Sequence, residues 1–419
     1  MKVKSFQLIL VIIISLLVGY YFGINKVTFD WNHYDPQINV INKEPPAGVK
    51  SIDFSMFWTV WQQINSSYYD KKAVDPTKLL DGAISGMISS LNDPFSMFLP
   101  PTQNANFKSI MAGQFDGIGA ELSMINKNIV VVAPLDGSPA EKAGIKAGDI
   151  IVKVDGQDTL GWNLGQAVSK IRGPKGKAVV LTVIHKGSQK PVNIKIVRDT
   201  ITVKTVSGWV KKVKDISGIQ SSKLKAQGQD SVAYIRLSQF GDQTNKDWIS
   251  LVDKLDLQIK NSKNFKGVIL DLRNNPGGYL TDATFIASEF IKSGVVVSEE
   301  KGGEKTNLYV SRKGLLTNVP LVVLINGGSA SASEIVAGAL RDHKRAVLVG
   351  EKSFGKGTVQ EAEDLGNGAG LHLTIAKWLT PDGTWVNKKG LTPDFTVAVD
   401  TKNPLHDAQL EKAVEILVK

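Results

Sequence analysis

Three serines stand in a glycine-rich turn within NGGSASASEIVAGAL, which runs from Asn326 to Leu340. A continuous apolar run ends at Ile325 and a helical pattern follows the serines, so the turn joins a buried strand to a helix. Amides at a helix N-terminus carry a partial positive charge, and a hydroxyl placed beside them has half of an oxyanion hole. The segment therefore indicates a nucleophilic serine. Capping of the helix by a serine is the alternative, and this segment alone leaves it open.

A nucleophilic serine needs a base, and lysine is the residue type that this chain offers. None of the five histidines, at positions 33, 185, 343, 372 and 406, stands in a Ser-His signature. Lys356 lies between two glycines in GEKSFGKGTVQ, and Gln360 follows where it could orient an amine. Lysine acts as a base only where burial lowers its pKa from about 10.4 toward 7 or 8. An exposed lysine in a turn is the alternative here.

A third segment, LDLRNNPGGYL from Leu270 to Leu280, places Pro276 and two glycines directly after a buried strand. Ligands of open α/β sheets bind at the carboxyl ends of the strands, where such a loop would expose amides. An ordinary tight turn explains this segment equally well when it is taken alone.

Other kinds of chemistry find little support. The chain has no cysteine, which excludes a cysteine nucleophile, thiolate zinc sites, iron–sulfur clusters and disulfides. It has no H-E-x-x-H motif, and we expect neither a metal nor a cofactor. Residues Gly350 to Lys356 begin like a phosphate-binding loop, but Gly357 stands where that motif needs Ser or Thr.

The elements that must position these loops alternate between strand and helix patterns after Ser231, which predicts an α/β domain. The predicted strands are 232–237, 267–272, 321–325 and 346–349, and the predicted helices are 248–259, 281–291 and 331–340. A final helix is predicted after Asn403. Residues 209–229 hold five lysines and few large apolar residues, and we interpret them as a mobile, solvated excursion.

Two further modules precede the α/β domain. Residues 113–200 contain short β-branched runs between turn residues and one stretch of helical spacing, which predicts a small β-rich module. The predicted strands are 130–133, 150–154, 179–184 and 192–197, and the helix is 162–172. Residues 52–88 show apolar spacing typical of two amphipathic helices, rich in Trp and Phe, which serve either packing or a homodimer.

The length of the chain indicates its number of domains, and its charge bears on nucleic-acid binding. A chain of 419 residues predicts about three domains. Lys and Arg exceed Asp and Glu by 50 − 40 = 10, a mild excess without the aromatic-interleaved basic stripe of a nucleic-acid surface. We therefore expect a solvated, slightly basic surface and no nucleic-acid partner.

The N-terminus predicts a membrane anchor. Phe6 to Ile24 is an apolar run of 19 residues, and at ~1.5 Å per residue it spans about 28 Å, enough for a bilayer core. A cleaved signal peptide should show a small-residue cleavage site, which is not found between Gly19 and Trp31. Lys2 and Lys4 place the N-terminus inside, so the rest of the chain should lie outside the cytoplasm in a single-pass arrangement.

Taken together, the motifs resemble those of the carboxyl-terminal processing (tail-specific) serine proteases, from about Asp53 to Lys419. LNDPFSMFLP resembles the family's N-terminal cap, and GIGAEL with SPAEKAGIKAGDIIVKVDG resembles its PDZ domain. LDLRNNPGG, NGGSASASEIVAGAL, GEKSFGKGTVQ and LTIAKWLTPDG resemble the protease core. Each motif is weakly specific, whereas the ordered set is very specific.

The resemblance implies a multidomain α+β chain whose α/β protease core is ClpP/crotonase-like. Its parts would be a transmembrane anchor, a tether, a helical cap region, a PDZ domain, the protease core and a C-terminal helix: 1–25, 26–50, 51–112, 113–200, 201–400 and 401–419.

The resemblance also implies the roles of individual residues. Ser331 would be the nucleophile, Lys356 the general base and Gln360 the orienting residue. The oxyanion donors would be the backbone amides of Ala332 and Gly278, with that of Gly277 as a further candidate.

Family PDZ domains bind the C-terminal residues of substrates by strand addition. The matching positions would be Gly117, Ile118, Gly119 and Leu122, together with Arg172, which resembles an arginine that couples the PDZ domain to the active site. The function implied is a membrane-anchored, extracytoplasmic serine endopeptidase that acts on unstructured protein C-termini. A catalytically inactive PDZ scaffold at the membrane is the alternative.

Overall fold

The computed structural model describes residues 53–419 except 136, 203, 221–223, 225, 227, 402 and 404, and also residues 13, 15–18, 20, 21, 27–30 and 37–40. Much of the predicted anchor at 1–25 and of the tether at 26–50 lies outside the described residues. No helix within the described part of the chain combines the length and the apolar character needed to cross a membrane. Residues 1–79 and 80–419 are two separate compact units.

The N-terminal part contains the two helices that the sequence predicts over residues 52–88. Its elements are β1 (Val27–Asp30), β2 (Gln37–Val40), α1 (Ser55–Ser67), a 3₁₀ turn (Lys71–Ala73), α2 (Pro76–Ser89), β3 (Met97–Leu99) and α3 (Pro101–Met111). Helix α2 begins where Asp75 accepts a hydrogen bond from the Thr77 amide, and a proline occupies its first position. No residue of α1 or α2 is buried within the described structure. The homodimer stays a prediction.

A β-rich module follows in the second unit. Its elements are β4 (Gln114–Gly117), β5 (Ala120–Ile125), β6 (Asn128–Pro134), α4 (Pro139–Lys142), β7 (Ile150–Val154), β8 (Gln157–Asp158), α5 (Leu164–Ile171), β9 (Ala178–Ile184), β10 (Pro191–Val197) and β11 (Asp199–Thr202). The sheet order is β10-β9-β7-β6-β5, so β5 is an edge strand. Helix α5 lies beside β5 and begins with a reciprocal cap between Asn163 and Gln166. An edge strand beside a helix leaves room for an added strand.

The C-terminal part contains two sheets and four labelled helices among the described residues. Its strands are β12 (Val206–Lys212), β13 (Asp230–Leu237), β14 (Asn264–Asp271), β15 (Val295–Lys301), β16 (Glu304–Tyr309), β17 (Leu321–Ile325), β18 (Val347–Gly350), β19 (Thr358–Asp364), β20 (Gly370–Leu379) and β21 (Phe395–Thr396). Its helices are α6 (Thr244–Lys260), α7 (Leu280–Ala287), α8 (Ala332–Asp342) and α9 (Ala408–Val418).

The central sheet has the order β12-β13-β14-β17-β18-β21, parallel except for β12. Successive side chains of a strand point to opposite faces, and here both faces are covered. Val268 and Leu270 pack with α6, α7 and α8 on one face, whereas Ile269 packs with α9 on the other. This double burial explains why the strands read as continuous apolar runs in the sequence.

The second sheet is antiparallel in order β16-β15-β20-β19, and β3 pairs with β20. The sequence analysis assigned no strand to β3, β15, β16 or β20. Half-exposed strands with mixed polar residues, such as β16, carry a weaker signal than a doubly buried strand.

Two sequence predictions were wrong. Residues 209–212 belong to strand β12 rather than to a mobile excursion, because Trp209 stacks on Tyr234 with ring centroids 5.1 Å apart. Val213 and Ile216 are buried against the sheet. The helix predicted over 281–291 ends at Ala287, where the Ser288 hydroxyl donates to the Thr284 carbonyl and also accepts from the Ser311 amide.

Candidate active site

Three loops follow the carboxyl ends of three neighbouring parallel strands. Residues 272–279 follow β14, 326–331 follow β17 and 351–357 follow β18. Because these ends meet at one edge of the sheet, the three motifs of the sequence come together there. Ser331, Lys356 and Gln360 line one pocket of about 350 Å³, together with Gly277 and Gly278.

The three serines of the turn have different environments. The Ser329 hydroxyl donates to the carbonyl of Leu272, and the Ser333 hydroxyl donates to that of Asn275, both at 2.8 Å. Both serines are buried, so they fasten the turn to the loop after β14. Ser331 is partly exposed and lines the pocket, with φ 54° and ψ −116°. A non-glycine residue at positive φ is strained, and such strain is common at functional sites.

Two backbone amides next to Ser331 are free to bind an oxyanion. The amides of Gly278 and Ala332 donate no hydrogen bond to any described residue. The Gly277 amide donates to Asn275 Oδ1 at 2.9 Å and is therefore already engaged. At Gly277 a Cβ atom would lie 2.8 Å from Ser331 Cβ, and at Gly278 it would lie 1.9 Å from the Phe240 carbonyl oxygen. Because any side chain would collide at these two positions, only glycine fits at 277 and 278.

The buried carboxylate of Glu334 connects the serine turn to the lysine loop. Its Oε2 accepts from the backbone amides of Ser331 and Lys356, both at 2.9 Å. Its Oε1 accepts from the Ser353 hydroxyl at 2.5 Å and from the Gly355 amide at 2.7 Å. Charge-assisted bonds of this kind are short and strong. The backbone positions of the two candidate catalytic residues are therefore fixed by one side chain.

Lys356 is a half-buried side chain in the pocket. Burial lowers its pKa below the ordinary value, while the negative charge of Asp93 acts in the opposite direction. Its Nζ lies 5.0 Å from the centroid of the Phe95 ring. No hydrogen bond joins Nζ to Ser331 Oγ in the part of the chain that the structure describes. Catalytic hydrogen bonds are often long before substrate binds, so proton transfer would need a small movement of this side chain.

Gln360 lies at the start of β19 with its amide nitrogen held in place. Nε2 donates to the hydroxyls of Thr358 at 2.9 Å and of Thr374 at 3.0 Å. The amide oxygen is consequently directed away from these hydroxyls and can accept a hydrogen bond from an amine in the pocket.

The walls of the pocket are mainly apolar. They include Phe95, Phe107, Met111, Ile335 and Trp378. His372 also lines the pocket, and its ring meets that of Phe107 edge-on with centroids 4.4 Å apart. Burial and then the charge of Lys356 lower the pKa of His372. Such a pocket suits an apolar side chain next to a peptide bond.

The loop between β4 and β5 holds the residues that the resemblance assigns to the peptide groove of the β-rich module. Ile118 and Gly119 join β4 to β5, and their amides donate no hydrogen bond to other described residues. Gly119 has φ 74°, and a Cβ there would lie 2.5 Å from Ser138 Cβ. Leu122 on β5 packs against the module's core. Edge strand β5, helix α5 and the free amides together form a site of the kind that binds an extended peptide.

Gly117 and Arg172 lie together beside that loop. Gly117 ends β4, and a Cβ there would lie 3.6 Å from the Arg172 side chain. Arg172 directly follows α5, and its guanidinium lies 4.4 Å from the centroid of the Phe115 ring. A cation at the end of the groove suits a peptide carboxylate.

The sequence analysis missed Glu334, His372, Asp93 and Phe95. Glu334 stands three residues after Ser331, a spacing typical of a capping box, so a local signal was present. Asp93 and Phe95 had no such signal, because they reach Lys356 only through tertiary contact. His372 was set aside with the other histidines because it stands in no Ser-His signature, and its neighbours along the strand say nothing about the pocket.

Known protein families match most of this chain. Three family models match the chain: peptidase family S41 over residues 231–397, a PDZ domain over 130–184, and the N-terminal domain of activating protease CtpB over 16–101. The photosystem II D1 C-terminal processing protease has a similar structure, with a TM-score of 0.50 and 29% identity. That alignment covers 87% of this chain and 97% of the solved chain of that protease.

Curated relatives extend over most of the chain. The carboxy-terminal-processing protease of Bartonella bacilliformis is 41% identical over 345 residues, covering 81% of this chain and 74% of the relative. CtpB of Bacillus subtilis, a carboxy-terminal processing protease, is 37% identical over 385 residues, covering 90% of this chain and 74% of the relative. The chain therefore belongs to peptidase family S41 and is a carboxy-terminal processing serine protease with a PDZ domain.

Proposed function

We propose that this protease is anchored in the membrane, acts outside the cytoplasm on unstructured protein C-termini, and cleaves them with a Ser331–Lys356 dyad. One observation carries the proposal. Ser331, Lys356 and Gln360 line a single pocket together with Gly278, and Ala332 directly follows Ser331; the amides of Gly278 and Ala332 donate to no described residue. This arrangement would supply a nucleophile, a base and an oxyanion site from the chain's own residues.

The reaction follows from these positions. Ser331 Oγ attacks the scissile carbonyl carbon while its proton passes to the lone pair of neutral Lys356 Nζ. The amides of Ala332 and Gly278 bind the oxyanion of the tetrahedral intermediate. The Lys356 ammonium then protonates the leaving amine. A water molecule deprotonated by the same lysine hydrolyses the acyl-enzyme, and Gln360 holds the amine in position throughout.

Substitution of either dyad residue should abolish turnover without unfolding the protein. We expect Ser331→Ala and Lys356→Ala each to lower the cleavage rate of fluorescein-labelled casein by at least about 10³-fold, because each removes a group that takes part in bond making. Lys352→Ala is the matched control, since Lys352 is an exposed lysine of the same loop. It should keep nearly the wild-type rate.

Circular dichroism would check that each variant is folded. Near-wild-type turnover in either dyad variant would contradict the mechanism. Binding of an apolar C-terminal peptide by a wild type that never cleaves would favour the inactive scaffold instead.

The PDZ groove gives the proposed enzyme its preference for C-termini. An extended tail would add to edge strand β5, with its carboxylate on the amides of Ile118 and Gly119 near Arg172. The last side chain would lie beside Leu122, which packs against the apolar core of the module. Main-chain pairing would supply affinity, while the terminal carboxylate and the contact with Leu122 would supply specificity.

An unfolded protein with an apolar tail should therefore be cleaved with a lower KM than the same protein with a charged tail. Replacing the terminal carboxylate by an amide should raise KM by about 10-fold, roughly the loss of one charge-assisted contact. Leu122→Asp should raise KM for the apolar tail in the same direction. Equal KM values for the carboxylate and the amide would remove C-terminal recognition from the proposal.

The apolar run from Phe6 to Ile24 supports the membrane anchor. Its length matches a bilayer core, and Lys2 and Lys4 favour retention of the N-terminus in the cytoplasm. The protease would then face the extracytoplasmic side of the cell membrane.

Removal of the N-terminal segment should release the protein from membranes. We expect the full chain to float with lipid vesicles after carbonate washing, and a chain beginning at about residue 44 to stay in solution. Full-length protein in which Ile13 and Leu17 are both replaced by Asp is a second test, because two charges in the apolar run oppose insertion. Full release of the unchanged full chain by carbonate would contradict the anchor.

A further inference from the structure

A short segment that precedes the β-rich module is fastened to the protease sheet. Asp93 Oδ1 accepts from the Phe95 amide at 3.1 Å, and Oδ2 accepts from the Ser96 hydroxyl at 2.6 Å. The following strand β3 pairs with β20, with Met97 opposite His372. Asp93 and Phe95 are thus held at the wall of the active-site pocket by a local turn and by strand pairing.

The segment connects to Gln360 through Thr374. The single proton of the Ser96 hydroxyl is donated to Asp93 Oδ2, so Ser96 Oγ is left as an acceptor for the Thr374 amide, at 3.0 Å. The Thr374 hydroxyl oxygen in turn accepts from Gln360 Nε2 at 3.0 Å. Asp93 therefore holds, through Ser96, the residue that fixes the Gln360 amide nitrogen.

The segment also acts on Lys356 through charge. Burial raises the pKa of Asp93, but the hydrogen bonds from Ser96 and Phe95 and the charge of Lys356 act in the opposite direction, and the resulting pKa lies below its usual value. Asp93 is therefore an anion, and its charge favours the charged form of Lys356. The centroid of the Phe95 ring lies 5.0 Å from Nζ, so this ring is a further partner for the cation.

Two other titratable groups lie near Lys356. Glu334 accepts the Lys356 backbone amide and three further donors, so its carboxylate is directed toward the protein backbone. His372 contributes no negative charge, and the charge of Lys356 lowers its pKa. Among the described groups, Asp93 is the carboxylate whose charge raises the pKa of the lysine.

The chemistry needs such a partner. As the Ser331 Oγ–carbon bond forms, the Oγ–H bond breaks and its proton moves to Nζ, leaving an ammonium in a half-buried pocket. A positive charge in such surroundings is costly unless a counter-charge is in place.

We propose that Asp93 is a positioning residue of this active site: through Ser96 and Thr374 it positions the Gln360 amide, and its carboxylate is the counter-charge for the Lys356 ammonium. The inference rests on the proposed Ser331–Lys356 dyad. It assigns a role to a residue outside the protease motifs, in the turn before β3.

The test is the pH profile of kcat/KM for fluorescein-labelled casein, measured for full-length wild type and Asp93→Asn. The base must be neutral, so activity rises as the pH passes upward through the pKa of Lys356. Removing the anion lowers that pKa, and the half-maximal point should therefore move to lower pH. We also expect kcat at the plateau to fall by about 10-fold to 100-fold, since the developing ammonium loses its partner.

Asp155→Asn is the matched control, because Asp155 makes a similar bond to the Val180 amide in the β-rich module. It should leave both the midpoint and kcat unchanged. Repeating the comparison in a His372→Gln background assigns the titration to the lysine if the shift persists. An unchanged midpoint in Asp93→Asn, with or without lost activity, would overturn the proposal and leave Asp93 a purely structural residue.

A second pair of variants tests the link through Thr374 and is informative even if Asp93→Asn does not fold. Thr374→Val keeps the shape of the side chain and removes the hydroxyl, so kcat should fall while KM stays constant. Thr374→Ser restores a hydroxyl and should recover most of the rate. Equal rates for Val and Ser would contradict the link. Casein cleavage that survives in Ser331→Ala would instead contradict the dyad. Failure of the dyad can therefore be told apart from failure of the proposed role of Asp93.

Discussion

The buried carboxylate of Glu334 is the interaction on which the active site depends. It receives four hydrogen bonds, two of them from the backbone amides of Ser331 and Lys356. The four donors offset the cost of desolvating this buried carboxylate, and they hold the loop of Ser331 at a fixed distance from the loop of Lys356. The strained backbone of Ser331 persists because this network, together with the hydroxyl bonds of Ser329 and Ser333, holds the turn from both sides.

Different layers of the protein supply different parts of the chemistry. The proposed nucleophile, base and oxyanion amides lie at the carboxyl edge of the parallel sheet. The antiparallel sheet delivers Gln360, His372 and Thr374, and the segment before β3 adds Asp93 and Phe95. Lysine can act as a base only in surroundings that disfavour its charge, and these surroundings are built from all three sources. The pocket is therefore complete only when the two sheets and the segment before β3 are packed together.

The sequence was sufficient for the parts of the site that have a local signature. Doubly buried strands, glycine-rich turns and the lysine between two glycines identified Ser331 and Lys356 as candidates, and the family resemblance distinguished Ser331 from its neighbours. It was not sufficient for contacts between distant segments. Nothing near Asp93 in the chain indicates that it lies close enough to Lys356 to affect its charge. The lysines of residues 209–212 made this segment look solvated, whereas the stacking of Trp209 on Tyr234, a distant residue, stabilises it as a strand.

The most direct test of the central claim is the acylation rate of Ser331 in Glu334→Gln. The substitution keeps the shape of the side chain but turns one acceptor oxygen into a donor that faces other donors. If Glu334 sets the positions of both dyad residues, single-turnover acylation by labelled casein should fall by at least about 100-fold. Circular dichroism and binding of an apolar C-terminal peptide should stay unchanged. Acylation at the wild-type rate in this folded variant would contradict the account.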